Sequence, residues 1–177
     1  TVDIAHNGSW YSVYPTQADS SGGTYVTLRT VFAFVEQPGI IECVFCDLNS
    51  TQKNKMTSRG EQIGMNIQCL LPAWGFRFKE ATASIEVRIM GGLLPFKGIR
   101  GEDQILLLSG VEEVNPSSVP FSKPNIVAVR GFGFDIVSSY KCVFSSAEGN
   151  HSSSVQSVPN ASVLFCNSSL WGADYDA

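Results

Sequence analysis

Charge is what this chain of 177 residues has least of. Lys, Arg, Asp and Glu together make up 16% of it, well under the roughly 25% of an average soluble domain. The net charge is −4, which argues against the basic surface that nucleic-acid binding requires. Histidine is scarcer still, with only His6 and His151. A Ser-His-Asp triad needs a histidine base, and both histidines fall in polar, loop-like contexts, so no catalytic residue is expected and the chain does not read as an enzyme. Long apolar runs are missing too. The longest aliphatic run, Ile105 to Leu108, is four residues, whereas a membrane helix takes about 20, so no membrane span is expected. No basic segment leads into an apolar one at the start, so any secretion signal is expected to have been removed or to lie outside this chain.

The cofactor signals are equally thin. Gly131-Phe-Gly-Phe134 is a lone GxG with no helix pattern after it, which does not make a phosphate cradle. Asp3, Asp174 and Asp176 carry oxygen ligands that calcium accepts, but without EF-hand spacing they read as a solvated acidic loop. Lys53, Lys55 and Arg59 read as the solvated end of a hairpin rather than a polyanion site. No metal or other cofactor is expected.

What is present begins with apolar matter: 44% hydrophobic and 11% aromatic residues, enough for a core and too much for a disordered chain. Glycosylation acceptors come next. Asn-x-Ser/Thr occurs at Asn7, Asn49, Asn150, Asn160 and Asn167, where chance from the Asn, Ser and Thr content gives roughly 1.5. Five acceptors point to a secretory-pathway glycoprotein, extracellular as a secreted or cell-surface appendage. The cysteines are Cys43, Cys46, Cys69, Cys142 and Cys166. Cys43-x-x-Cys46 has no second ligand pair for zinc and no βαβ context for a redox dithiol. Disulfides suit the glycosylation signals better.

An internal repeat decides the architecture. Pro15 and Pro116 each precede an arginine by fourteen residues, Arg29 and Arg130. Each arginine closes an alternating run and leads into a Phe-rich stretch, Val31-Phe-Ala-Phe34 and Gly131-Phe-Gly-Phe134. Cys43-Val-Phe45 and Cys142-Val-Phe144 follow, then Cys69 and Cys166, with Trp74-Gly75 and Trp171-Gly172 five residues beyond. Equivalent positions predict the disulfides Cys43–Cys69 and Cys142–Cys166. Cys46 faces Ser145 in the alignment and is expected to be a buried thiol or an intermolecular bridge. Trp74 and Trp171 are expected to cover equivalent ends of their cores, with their indoles partly exposed.

Copy one continues to a strand, Ala83-Ser-Ile-Glu-Val87, while copy two stops at Ala177. Read from end to start, Ala177-Thr1-Val2-Asp3-Ile4 matches that strand position by position. Residues 1–9 therefore read as a donor strand for a second domain, residues 10–112 as the first domain with an inserted apolar loop 90–104, and residues 113–177 as a second domain lacking its last strand. Strand-like runs are predicted at Val2–Ala5, Tyr25–Arg29, Ile40–Phe45, Ile63–Leu70, Ser84–Ile89, Gln104–Leu108, Ile126–Arg130, Tyr140–Phe144 and Ser162–Cys166, with turns at Ser20–Gly23, Gln37–Gly39, Asn115–Ser118 and Ser145–Ser154. The fold class is all-β, two tandem β-sandwiches.

The run of Val129-Arg-Gly-Phe-Gly-Phe134, Tyr140-Lys-Cys-Val-Phe144 and Val163-Leu-Phe-Cys166 resembles the IPT/TIG family of immunoglobulin-like domains. Copy one departs, lacking the glycines at Thr30–Phe34 and having Ile41 where the tyrosine stands. The resemblance implies tandem immunoglobulin-like sandwiches with a binding or architectural role rather than chemistry. A displaced strand further resembles subunits of extracellular fibrils assembled by strand exchange. The leading expectation is thus a structural protomer of a glycosylated filament, its partner another copy bound head-to-tail. Val2 and Ile4 would point into the neighbour and Asp3 outward, with Leu93, Leu94 and Phe96 packing on an adjacent subunit. The rival is a piece of a multi-repeat adhesin or receptor ectodomain.

Overall fold

The computed structural model describes residues 8–31, 40–50, 54–120, 123–146 and 149–168. The strands, in order, are β1 (Trp10–Tyr14), β2 (Gln17–Asp19), β3 (Tyr25–Thr30), β4 (Ile41–Asp47), β5 (Lys55–Ile63), β6 (Asn66–Leu70), β7 (Ala81–Ile89), β8 (Gly92–Leu94), β9 (Gln104–Leu108), β10 (Gly110–Asn115), β11 (Asn125–Phe132), β12 (Lys141–Ser146), β13 (Gly149–Asn160) and β14 (Val163–Ser168). Among the described residues a single 3-10 turn, Trp74–Phe76, breaks the series. The molecule is all-β and forms two sandwich-like units. The first ladder runs β1-β3-β6-β5-β4-β7-β9-β2, with β8 beside β7; the second runs β10-β11-β14-β13-β12.

Each ladder turns over on itself at one long strand. In the first, the early part of β5 pairs with β4 and its last residues pair with β6, Gly60 facing Ile41 on one side and Cys69 on the other. In the second, β13 does the same between β12 and β14. Cys43 lies opposite Ser58 and Cys69 opposite Gly60; Cys142 lies opposite Ser153 and Cys166 opposite Val155. In both units the crossing strand steps two residues between the cysteines it separates. The two disulfides, Cys43–Cys69 and Cys142–Cys166, thus tie the layers together at equivalent points. Cys46 is half-buried and belongs to neither. The repeat extends to the first strands: Val13 faces Leu28 as Val114 faces Val129, and both pairings carry an irregularity at the same place, after Trp10 and after Val111. Pro15 and Pro116 both follow cis peptide bonds.

Several strands were silent in the sequence. Ile63–Leu70 is not one strand, because Gly64, at φ +59°, turns the chain back between β5 and β6. Lys55 pairs with Cys46 at the end of the β4–β5 hairpin, as expected, whereas Arg59 lies further along β5 opposite Glu42; Lys53 lies outside the described residues. The polar run Ser145–Ser154 forms much of the β12–β13 hairpin instead of a turn: backbone pairing does not need apolar side chains, and the outward faces are solvated. The second ladder begins at Gly110, so the chain enters the second unit there rather than at residue 113.

The apolar stretch after β7 belongs to the first sandwich. β8 pairs antiparallel with β7, which turns Leu94 inward to 2% exposure and leaves Leu93 outside at 63%. Phe96 bridges to β1, its ring 4.7 Å from that of Trp10. Expected exposure of Leu94 and Phe96 in a lone chain is thereby corrected: the insertion covers its own core, because Trp10 would otherwise be left in water. Replacing Phe96 by alanine should cost the first sandwich about 2–4 kcal/mol, whereas Leu93→Ser in the lone chain should stay within roughly 0.5 kcal/mol. Urea unfolding of both variants checks this.

A compact joint links the units. Leu108 passes through Ser109 directly into Gly110. Behind it, the Gly75 N–H donates to the Ser20 carbonyl (2.7 Å), the Gly133 N–H to the Gly75 carbonyl (2.9 Å), and the Glu80 N–H to the Gly133 carbonyl (2.9 Å). The Glu80 carboxylate accepts from both the N–H and the hydroxyl of Ser109, and Phe76 meets Phe132 ring to ring at 6.2 Å. Trp74, expected to be partly exposed, is wholly buried, because Phe78 packs on its ring at 4.9 Å and its indole N–H donates to the Lys79 carbonyl. Its repeat counterpart Trp171 lies outside the described residues.

Lys79 and Asp135 close the joint with a 2.9 Å ion pair. Its hydrogen bond raises the Lys79 amine above its ordinary value and, from the other side, lowers the Asp135 carboxyl, which Val137 N–H and Ser138 hydroxyl also stabilise as an anion. A lowered carboxyl contributes at pH above its ordinary value and is lost as pH falls through the lowered one; a raised amine contributes below its ordinary value and is lost as pH rises through the raised one. The pair should therefore be intact from about pH 5 to 10. Interdomain NMR contacts followed across that range should not change, and weakening confined to the acid or alkaline extremes is the expected pattern.

Candidate functional site: the open side of the second sandwich

The repeat allows each position of the second unit to be compared with a filled counterpart. In the first ladder, β4 has β5 on one side and β7 on the other; β9 follows, and β2 pairs with β9 in parallel. In the second ladder, β12 occupies the place of β4, and among the described residues it pairs with β13 alone. Among the described residues of the second unit no strand stands in the place of β7 or of β9. Residues 118–120, which follow Pro116 as β2 follows Pro15, have no ladder partner among the described residues.

Burial follows this difference residue by residue. Val44 is 3% exposed and its counterpart Val143 57%; Trp10 is 1% exposed and Val111 61%; Val13 is 6% exposed and Val114 45%. Cys43 and Phe45 are fully buried, while Cys142 and Phe144 are half-buried. Away from the gap the two units agree: Val26 and Val127, Ile67 and Leu164, Cys69 and Cys166 are all buried. The uncovered side chains stand at positions that are buried in the first unit; Val129, in the middle of β11, is half-buried where its counterpart Leu28 is fully buried. Val119, beside the gap, is half-buried against the small second core.

Apolar residues held at core positions yet left in water lose the transfer energy that burial would supply, about 1.5–3 kcal/mol for each large side chain. Val111, Val114, Val119 and Val143 were not singled out from the sequence. The spacing from Pro15 and Pro116, carried back onto Trp10 and Val13, would have marked the first two.

The residues expected to act at this site divide in two. Val2, Asp3 and Ile4, like Asn7, Gly172, Asp174 and Asp176, lie outside the described residues. Leu94 and Phe96 are occupied in their own core, and Leu93 remains exposed. Of the acceptor asparagines, Asn49, Asn150, Asn160 and Asn167 are all exposed; Asn160 accepts from the N–H and hydroxyl of Ser162, its own acceptor serine, at 2.9 Å each.

No family model matches the chain, and no curated protein does. Among solved structures, the chain is similar to the full extracellular region of plexin A4, domains 1 to 10, at 15% identity and a TM-score of 0.36, over 96% of this chain and 13% of that one. A second structure of that region, with domains 1 to 8, aligns over 90% of this chain and 22% of the other, at 10% identity and a TM-score of 0.34. The chain thus spans less than a quarter of either plexin chain.

Proposed function

We propose that this chain is an architectural and binding part of an extracellular glycoprotein, without catalysis, whose second sandwich is completed by β-structure from outside the described residues. The observation that carries this is the burial contrast between Val143, Val111 and Val114 and their filled counterparts. Two layer-bridging disulfides and the exposed acceptor asparagines support an oxidising, extracellular setting.

The reading we favour is a stretch of a multi-repeat receptor or adhesin ectodomain. Its support is the joint: the first sandwich receives β7 and β9 from its own chain, and one residue later the chain starts the next sandwich. A further repeat joined in the same way would complete the second unit in cis. Intact mass of the native glycoprotein tests this, with a polypeptide much larger than 19.2 kDa as the expected result and one of that size as the result against it.

The second reading is the head-to-tail filament protomer, supported by the match of Ala177-Thr1-Val2-Asp3-Ile4 to Ala83–Val87. In it, Val2 and Ile4 enter the second sandwich of the next copy, Asp3 faces out, Leu93 lies at the contact, and a one-residue slip would bury Asp3. Electron microscopy of purified chain should then show filaments, and deletion of residues 1–8 should abolish them while the first sandwich stays folded. Normal filaments from the shortened chain would rule out strand exchange.

A further inference from the structure

We infer that Asn167 carries an N-linked glycan whose first sugar lies across Ile126 and Phe165 on the outer face of the second sandwich. The inference rests on the reading of this chain as an extracellular glycoprotein, and it names what one of its glycans does there.

Alternation along β14 sets the geometry. Leu164, Cys166 and Ser168 are buried, Val163 and Phe165 half-buried, and Asn167 exposed. Successive side chains of a strand point to opposite faces, so Val163, Phe165 and Asn167 share the outer one. The register is pinned beside the acceptor: the Asn125 N–H donates to the Ser168 hydroxyl at 3.0 Å, and that serine is 4% exposed. Ser168 held inward keeps Asn167 outward. Across the ladder, Asn167 faces Ile126, which is 58% exposed, and Phe165 faces Ala128. Directly opposed side chains stand about 5 Å apart at Cβ, and residues two apart on one strand about 7 Å. The Asn167 amide therefore leaves the sheet next to two apolar side chains that stay partly in water.

The acceptor motif Asn167-Ser168-Ser169 supplies the attachment. The donor is a lipid-pyrophosphate-linked oligosaccharide whose first sugar is N-acetylglucosamine. The Asn167 Nδ2 bonds to the anomeric carbon of that sugar and the bond from this carbon to the phosphate oxygen breaks. The lipid pyrophosphate leaves with the electron pair, and the amide gives up one proton. A pyranose ring has a face of C–H groups and a rim of hydroxyls. Its C–H face fits the negative face of the Phe165 ring and the aliphatic Ile126, whose removal from water is favourable in proportion to the area covered. The hydroxyl rim meets a polar border, since Ser157 of β13 pairs beside Phe165.

The repeat supplies a second argument. Val26 faces Cys69 as Val127 faces Cys166, so the registers match and the pair Tyr25 and Leu70 corresponds to Ile126 and Asn167. In the first sandwich Tyr25 faces Leu70, apolar against apolar. In the second the apolar partner is replaced by an acceptor asparagine, and a sugar on Asn167 returns to Ile126 the neighbour that Leu70 gives Tyr25.

The test secretes the full chain, behind a cleavable signal, from eukaryotic cells restricted to high-mannose glycans. Glycopeptide mass spectrometry should find Asn167 occupied, and NMR should show contacts from the N-acetyl methyl group of the first sugar to the Ile126 and Phe165 side chains. Asn167→Gln should lower the melting point of the second unit by about 4–8 °C, whereas an endoglycosidase that leaves the first sugar in place should not lower it. Made together with Ile126→Ser, a change at an exposed position, the same substitution should produce a clearly smaller shift. A bare Asn167 beside occupied Asn49, Asn150 or Asn160, or an occupied Asn167 without those NMR contacts and with equal shifts in both backgrounds, would overturn the inference and leave the glycoprotein reading standing. Secreted chain with no acceptor occupied would overturn that reading as well.

Discussion

Replacing Cys142 and Cys166 together by alanine is expected to unfold the second sandwich under conditions where the first remains intact. Closing a loop of 24 residues constrains the unfolded chain by about 3 kcal/mol. The Cys43–Cys69 bridge, with a separation of 26, constrains its own loop by nearly the same amount. The outcomes differ because the cores differ. The first cluster is continuous from Trp10 to Leu107 and is sealed by β7, β8 and β9. The second has Val127, Phe134, Leu164 and Cys166 fully buried, with the side chains around them half-exposed. A core so small leaves little stability in reserve, so losing 3 kcal/mol should lower the melting point of that unit by roughly 10–20 °C. The same change in the first sandwich should leave it folded at room temperature. Thermal melts followed by NMR signals from each unit distinguish the two, and equal, small shifts would mean that the second sandwich is already completed in solution.

Substituting valine for Gly75 should have the next largest effect, chiefly on the arrangement of the two units. A Cβ at Gly75 would collide with the Ser20 hydroxyl and come within 2.8 Å of both the Gly133 nitrogen and the Phe132 Cβ. Backbone cannot retreat as a side-chain tip can, so the joint must open, at a cost of about 1–3 kcal/mol. Gly133 is confined from the other side: its φ is +76°, and a Cβ there would stand 2.9 Å from the Ser109 Cα. Opening should release the Gly133 N–H to Gly75 carbonyl hydrogen bond and the Lys79–Asp135 pair together. Small-angle scattering should then show a longer, more variable particle, while each unit keeps its own thermal transition. An unchanged scattering profile would mean that the linker at Ser109 alone fixes the arrangement.

These two glycines also show what the sequence leaves unsaid. Gly131-Phe-Gly-Phe134 stood out as a family-like pattern, but nothing local assigns Gly133 to contact with Gly75, 58 residues away. That requirement arises when two folded surfaces approach. The strands divide in the same manner. Alternating apolar runs such as Tyr25–Arg29 and Ser84–Ile89 were legible because one face must be buried. β13, rich in serine, and β10, polar and exposed, were not, since their place is set by ladder pairing with neighbours and their side chains carry no periodic signal.

The sequence by itself determined the repeat, the all-β class and the pairing of Cys43 with Cys69 and Cys142 with Cys166. Landmarks at matched spacing must occupy matched positions when the same sandwich is built twice. Tertiary structure alone decided how much the second unit wants and where the apolar insertion goes. Leu94 and Phe96 are as hydrophobic as any interface residue; only the pairing of β8 with β7 and the bridge to Trp10 turn them inward. Val111, Val114 and Val143 look like ordinary strand valines. What marks them is the water at positions where the first unit has neighbours, and exposure of that kind is a property of the assembled layers, fixed by which strands stand beside them.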